Sequence, residues 1–288
     1  MNKGSGALRK IITIFSESSV IKFTIGILNN SLKTVIPRFS ISIDSQIFYA
    51  HTLDRVIALL LLKFGMWEKG EMDLFKKTVK KGWTVLDIGA NIGYPSLLLS
   101  SLVGENGKVI AFEPDKNNIQ MLEKNIKANN CKNITIVPMA VSDHTGVGTL
   151  YISSSHSGDH RIYDLPDEKR KAQNINTIRL DDYFKSSGKI DFVQMDVQGA
   201  EEVVFKGMKS LLNRNKSINI LLEFWPEGLR KMGSSPVDFL KMIEKLGFQL
   251  AYINQSNGGV SKTSVKQCME MCKGGYDISL FLKRPARN

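Results

Sequence analysis

The sequence predicts an α/β fold: a mostly parallel sheet with helices on both faces. Three observations carry this. From Gly82 onward, short apolar runs alternate with helical stretches at the spacing of βα units. A glycine-containing turn, VLDIGANIGYPSLLL at Val85–Leu99, joins a strand-like run to a helical one. The 288 residues are 42% hydrophobic and 23% charged, the composition of an ordinary globular chain long enough for one large domain plus an extension.

The chain divides into a mainly helical N-terminal extension, 1–66, and a domain, 67–288. In the extension, Ile11, Ile12, Phe15, Ile21, Ile25 and Leu28 recur at helical spacing, while Glu17, Lys22 and Lys33 interrupt any apolar span. Such a basic amphipathic helix packs on a core or a partner, or lies on a membrane surface. FSISIDSQIFY, Phe39–Tyr49, alternates as a short hairpin does. Leu53–Phe64 is apolar nearly all round and reads as a helix. Beyond it, strands are expected at Thr84–Ile88, Lys108–Glu113, Ile134–Val137, Asp191–Met195 and Ile218–Phe224. Helices are expected at Pro95–Leu102, Asp115–Asn129, Ala200–Leu212 and Pro236–Leu246. Asp115 caps its helix, and Ser235 followed by Pro236 is a helix start. Two last strands, Phe248–Ile253 and Asp277–Leu282, have no helical pattern between them and read as an antiparallel edge.

Net charge is +11, and thirteen Lys/Arg against six Asp/Glu lie between Met1 and Gly82. This favours anionic partners, yet no aromatic residues interleave the basic ones as in a nucleic-acid surface. Cys131 stands alone, and Cys268 and Cys272 form a C-x3-C without a second pair, so neither a disulfide framework nor a zinc site is indicated. No signal peptide or membrane span is read, which points to a cytoplasmic location, with peripheral membrane contact through the basic N-terminal segment as an addition.

The glycine turn narrows the ligand. Its pattern is D-x-G-x-x-x-G: Asp87, Gly89, Gly93. A dinucleotide fingerprint needs G-x-G-x-x-G, and Asn91 stands where its second glycine would be; no Lys-Ser/Thr pair makes a P-loop either. Asp87 would repel a pyrophosphate and suits a cationic group. S-adenosylmethionine carries a sulfonium and an ammonium and no phosphate, and the two glycines are expected to let it approach the backbone. Glu113, ending the second strand in VIAFEPD, is placed to accept ribose hydroxyls.

These residues resemble those of class I S-adenosylmethionine-dependent methyltransferases. VQMDVQGAEEVVFKG, Val193–Gly207, resembles the D-V-E-G-A-E motif of the FkbM methyltransferase family at Asp196, Val197, Gly199, Ala200 and Glu201, with Gln198 in place of the usual glutamate. WEKGEMDLF, AVSD at Ala140–Asp143, TIRLDDYF at Thr177–Phe184 and LLEFWPEGL at Leu221–Leu229 fit the same family, over roughly Phe64 to Ile253. The resemblance implies a Rossmann-like seven-stranded sheet with an antiparallel last strand, and O-methyl transfer to a hydroxyl of a sugar, glycan or small metabolite. The donor-binding set is then Asp87, Gly89, Ala90, Asn91, Gly93, Glu113, Pro114, Asp143 and Asp196.

Methyl transfer to an alcohol needs in-line alignment and a group to take the proton. Asp196, at the end of the fourth strand, is the first candidate: it is placed to hold the donor's ammonium or the acceptor hydroxyl. Glu223 ends the fifth strand across from it, and Glu201 opens the next helix, where a carboxylate also suits the helix dipole. In the polar loop SHSGDHRIYD, Ser155–Asp164, His160 is a candidate base and Arg161 a clamp for an anionic group on the acceptor. Trp225 offers an apolar wall or a sugar-stacking face. Asp196, Glu201 and Glu223 have oxygen donors suited to Mg2+, but no local ligand motif supports that, and no metal is assigned. Two rival readings are a nucleic-acid methyltransferase, which lacks support because MDVQGAE stands where a base-gripping N-P-P-aromatic run is expected, and a donor-binding protein without turnover.

Overall fold

A computed structural model describes residues 39–43, 45–50, 68–153, 158–164, 168–185 and 188–285. The helices expected before residue 39 and at Leu53–Phe64 lie outside the described residues. The hairpin is present: β1 (Phe39–Ile43) and β2 (Gln46–Ala50) pair antiparallel. Helix α1 (Lys69–Thr78) leads into β3 (Thr84–Ile88), whose Val85–Ile88 are all buried because the strand is covered on both faces. The glycine turn then opens α2 (Tyr94–Val103), followed by β4 (Lys108–Phe112), α3 (Lys116–Ala128) and β5 (Ile134–Val137). Asp115 caps α3 as expected, accepting from the Asn117 and Asn118 N–H groups.

Next come three strands that the sequence reading did not anticipate: β6 (Ala140–Val141), β7 (Gly146–Ile152) and β8 (Lys171–Ile178). They form a separate small sheet in the order β6-β8-β7. A short α4 (Leu180–Tyr183) and β9 (Phe192–Met195) follow. The helix expected as one piece at Ala200–Leu212 is two, α5 (Glu201–Gly207) and α6 (Lys209–Arg214), with Met208 out of helical conformation between them. The chain runs so close to the AVSD segment here that a Cβ on Gly207 would lie 2.0 Å from the Ser142 carbonyl oxygen. Then β10 (Asn219–Phe224), α7 (Pro226–Lys231) and α8 (Pro236–Lys245), capped by Ser235, lead to β11 (Gln249–Asn254).

The last two predicted strands do pair antiparallel, but the stretch between them is not plain loop. It holds β12 (Gly259–Lys262) and α9 (Val265–Met271), before β13 (Ile278–Lys283). Ser264 and Gln267 form a reciprocal capping box that starts α9. The central sheet therefore has eight strands rather than seven, in the order β12-β11-β13-β10-β9-β3-β4-β5. β5, β4, β3, β9 and β10 are parallel, and β13 is inserted antiparallel between β10 and β11. β12 is the added edge. The chain winds outward from β3 through β4 to β5 and then returns to β9 on the other side of β3. The carboxyl ends of β3 and β9 are thus the switch point of the sheet, where an open α/β fold leaves a crevice.

One apolar core on one face of the sheet joins Leu86, Val193, Leu222 and Leu280 to Phe205 of α5 and Phe239 of α8. The other face packs Val85, Phe192 and Phe281 against Phe75 of α1 and Leu99 of α2. The hairpin is fastened to this body. Asn125 of α3 accepts from the Tyr49 N–H (2.7 Å) and donates to the Ile92 carbonyl (2.8 Å), so one side chain ties the hairpin to the glycine turn.

Candidate functional site

The turn after β3 is built on two glycines with positive φ, Gly89 (85°) and Gly93 (93°). Their immediate reasons lie within the protein. A Cβ on Gly89 would sit 2.0 Å from the Asp196 carbonyl oxygen, and one on Gly93 2.2 Å from Leu122 Cδ1 of α3. Within the protein these glycines bring the ends of β3 and β9 into contact and seat α3 on the turn, packing that the sequence reading did not anticipate. Ala90 is fully buried beneath, and Asn91 adopts the left-handed conformation with its Oδ1 buried and unpartnered among the described residues.

Two carboxylates are buried at this point. Asp87 Oδ2 accepts from Ser96 Oγ (2.5 Å) at the start of α2. Glu113 Oε2 accepts from the Asn91 N–H (2.8 Å), while its Oε1 accepts from the Asp115 N–H (2.9 Å) and Asn118 Nδ2 (3.1 Å). Glu113 therefore ties both neighbouring turns together, with Pro114 half-buried between. A carboxylate offers about four acceptor positions, and these three bonds leave one for an incoming hydroxyl. Burial pushes Asp87 up from 3.8 to about 7, and the charges of Asp196 and Glu113 add to this against the Ser96 bond. Burial likewise pushes Glu113 up from 4.5 to about 7, opposed by its three donors.

At the end of β9 the half-buried Asp196 meets Gln198, which adopts a left-handed φ of 52°. Gln198 Nε2 donates to Asp196 Oδ1 (2.5 Å) and to Glu223 Oε2 at the end of β10 (3.0 Å). The residue that departs from the family motif thus joins the two foremost catalytic candidates. Its carbonyl in turn accepts from Tyr163 Oη (3.0 Å). Glu201 is fully buried, with Oε1 accepting from the Gly199 N–H (3.0 Å) and Oε2 unpartnered among the described residues. Burial pushes it up from 4.5 to about 8, with a further push from Asp196.

The β7–β8 connection reaches this cluster through Tyr163. Arg161 is buried and pairs with Asp159 (2.7 Å) and Glu168 (3.4 Å), and its guanidinium lies 5.1 Å from the Trp225 ring centroid. Arg170 binds the same two acids. The charge expected to clamp an acceptor anion is therefore already compensated within the loop. His160 is half-buried and its Nδ1 accepts from the Ser153 N–H (3.2 Å), which places the neutral ring's own proton on Nε2. Asp143 stands apart: it is exposed, and its carboxylate contacts Ser142 and His144 beside it.

Sequence reasoning missed several members. Glu71, in the WEKGEMDLF segment, is buried on α1 and accepts from Ser279 Oγ (2.5 Å) of β13. Burial pushes it well above the usual carboxylate range, and Glu68, Asp196 and Asp277 push further. Ser96, Asn118 and Tyr163 were not singled out either. Among the described residues, no group of three His, Cys, Asp or Glu side chains is arranged to hold a metal ion, and no helix is long and apolar enough to cross a membrane.

Residues 87–250 match the family model described as the methyltransferase FkbM domain, a span that holds every site residue expected from the sequence but not Glu71 or Ser279. The 2-O-methyltransferase NoeI of Sinorhizobium fredii (strain NBRC 101917 / NGR234) is 28% identical over 151 residues, 46% of this chain and 60% of that protein, so this chain matches less than two thirds of that relative's length. A protein-L-isoaspartate O-methyltransferase of Methanococcoides burtonii is 35% identical over 65 residues, 23% of this chain and 31% of its own. The crystal structure of a methyltransferase FkbM from Methylobacillus flagellatus KT aligns with 73% of this chain and 50% of its own at 14% identity and a TM-score of 0.43. With a family model matching more than half of its length, the chain belongs to the methyltransferase FkbM family.

Proposed function

We propose that the chain transfers a methyl group from S-adenosylmethionine to a hydroxyl of a sugar, glycan or small metabolite. One observation carries the donor: Asp87, Glu113 and Asp196 converge on the switch point, and burial pushes the first two up to about 7, with the charges of Asp196 and Glu113 adding at Asp87. Such a site favours a cation, and S-adenosylmethionine has a sulfonium and an ammonium. The unpartnered Asn91 Oδ1 and the open acceptor position on Glu113 suit the donor and hydroxyl groups of its nucleoside.

When bound, S-adenosylmethionine supplies a methyl carbon activated by sulfur. The chain's part is alignment and proton removal. Glu113 and the Asn91 turn hold the ribose end. Asp196, at the end of β9, faces the cationic end. Glu223 takes the acceptor's proton in this reading, which its link to Asp196 through Gln198 supports. A hydroxyl acceptor is supported by the 2-O-methyltransferase relative and by the absence of a base-gripping N-P-P-aromatic run after β9.

Calorimetric titration with S-adenosylhomocysteine, with NADH alongside, tests the donor. Micromolar binding of the first alone, weakened at least tenfold by Glu113→Ala, is the expected result. A folded protein that binds neither ligand refutes the assignment.

A further inference from the structure

A cavity of about 840 Å3 opens beside the carboxyl end of β10, between α7, α9 and the loop that leads into β13. It belongs to the same sheet edge as the cluster described above. Pro226, on its wall, follows Glu223 by three residues, and Phe224 pairs with Ile278 just beyond its Tyr276. Its size is that of a small-molecule site.

The lining divides by chemistry. Val237, Val265, Met269 and the buried Cys272 give an apolar interior, and the rim is charged. Two rim carboxylates are already paired: Glu227 with Lys231 (3.0 Å) and Glu270 with Lys273 (2.6 Å). The other two rim cations, Arg230 and Lys266, have no salt bridge among the described residues. The buried Cys272 thiol feels the charge of Asp277 first and, more weakly, that of Arg230, so the arginine's charge reaches the cavity wall alongside an acid. An apolar interior beneath two cations that form no salt bridge among the described residues is complementary to an apolar body with an anionic head.

We infer that this cavity is a second ligand site, which takes an amphipathic anion and anchors an acceptor of that class beside Glu223. The inference rests on the methyl-transfer reading for the word acceptor, and on the cavity alone for the ligand class. Arg161 was the expected anion clamp, and its engagement with Asp159 and Glu168 leaves the role to Arg230 and Lys266.

The test titrates the full-length chain, saturated with S-adenosylhomocysteine, with three probes below their micelle concentrations: n-octyl phosphate, n-octyl β-glucoside and inorganic phosphate. The expected result is octyl phosphate binding at least tenfold tighter than either of the others, with the preference erased in Arg230→Gln/Lys266→Gln. Both residues are exposed, so the variant leaves the core intact, and its S-adenosylhomocysteine affinity is expected to match the wild type. Binding of octyl phosphate no tighter than the glucoside, binding carried equally by inorganic phosphate, or a preference that survives in the variant each overturns the inference. Loss of S-adenosylhomocysteine binding in the wild type refutes the donor reading instead, and the probe preference then stands or falls separately.

Discussion

The buried carboxylate beneath the glycine turn makes the free protein sensitive to pH in an unusual direction. Asp87 is 1% exposed and is pushed up from 3.8 to about 7. In the unfolded chain it loses its proton near 3.8; in the native state it keeps it until about 7. Between these values the native state holds a proton that the unfolded state lacks, so stability falls as pH rises through this window and levels off above it. At 1.36 kcal/mol for each pH unit, the contribution amounts to ~4 kcal/mol. For a domain of this size, 1 kcal/mol moves the melting temperature by ~2–4 °C, so Asp87 alone is worth about 10 °C. Glu113 and Glu201, pushed up to about 7 and about 8, act in the same direction.

The perturbation is Asp87→Asn, which keeps a hydrogen-bonding group against Ser96 and removes the ionisation. Thermal unfolding followed by circular dichroism at pH 5 and pH 8 is the assay. Wild type is expected to melt lower at pH 8 than at pH 5. Only the part of the window from pH 5 to about 7 lies between the two assay conditions, ~2.7 kcal/mol, so the variant is expected to lose ~5–10 °C of that difference, melting higher than wild type at pH 8 while failing to bind S-adenosylmethionine. Saturating S-adenosylmethionine is expected to raise the wild-type melting temperature most at pH 8, where it neutralises the anions. Coincident pH profiles for wild type and Asp87→Asn refute the reasoning, because Asp87 then carries no ionisation cost in the native state.

Two further outcomes follow from the same geometry and a third from the sequence. Gly89→Ala places a methyl 2.0 Å from a backbone oxygen at a φ of 85°, and a loss above ~2 kcal/mol in denaturant unfolding is expected; a stable variant with wild-type donor affinity contradicts the packing account. Gln198→Leu removes the donor shared by Asp196 and Glu223, at a cost of ~1–3 kcal/mol, whereas Gln198→Glu places a third carboxylate beside them and is expected to raise stability at pH 5 relative to pH 8. Equal melting profiles for the three chains argue against the bridge. Deletion of Met1–Ile36, the basic amphipathic stretch, is expected to weaken sedimentation with anionic vesicles; unchanged binding removes the membrane-surface proposal.

The central sheet was legible because each of its inner strands is covered on both faces and reads as an apolar run, as TVLDI and FVQM do. Cap residues gave α3 and α8 their starts. The small sheet was not legible: in KAQNINTI of β8, most side chains are exposed or half-buried, and only Ile175 and Thr177 are buried, too few for a pattern. Helix α9 was not read: its seven residues are too short for periodicity to register, and its one local signal, the Ser264–Gln267 capping box, was not used. Lys262 at the end of β12 and the exposed Val260 show the same short, polar edge character that hides the eighth strand.

The site divides along a similar line. Asp87, Glu113 and Asp196 were readable because the first is the penultimate residue of an apolar strand and the other two directly follow one, and a parallel sheet delivers all such residues to one edge. Glu71, Tyr163 and the Gln198 bridge were not, since their partners lie far along the chain and are chosen by strand order: β9 beside β10 brings Gln198 to Glu223, and β13 beside β10 brings Ser279 to Glu71 on α1. The glycines mark the fold more than the ligand. Gly89 and Gly93 are required by the close approach of the Asp196 carbonyl and of Leu122. What distinguishes a cation site from a phosphate site here is the acids around the turn. Asp87→Asn and Glu113→Gln keep a hydrogen-bonding oxygen for the turn's donors and remove the charges that give a sulfonium a reason to bind there.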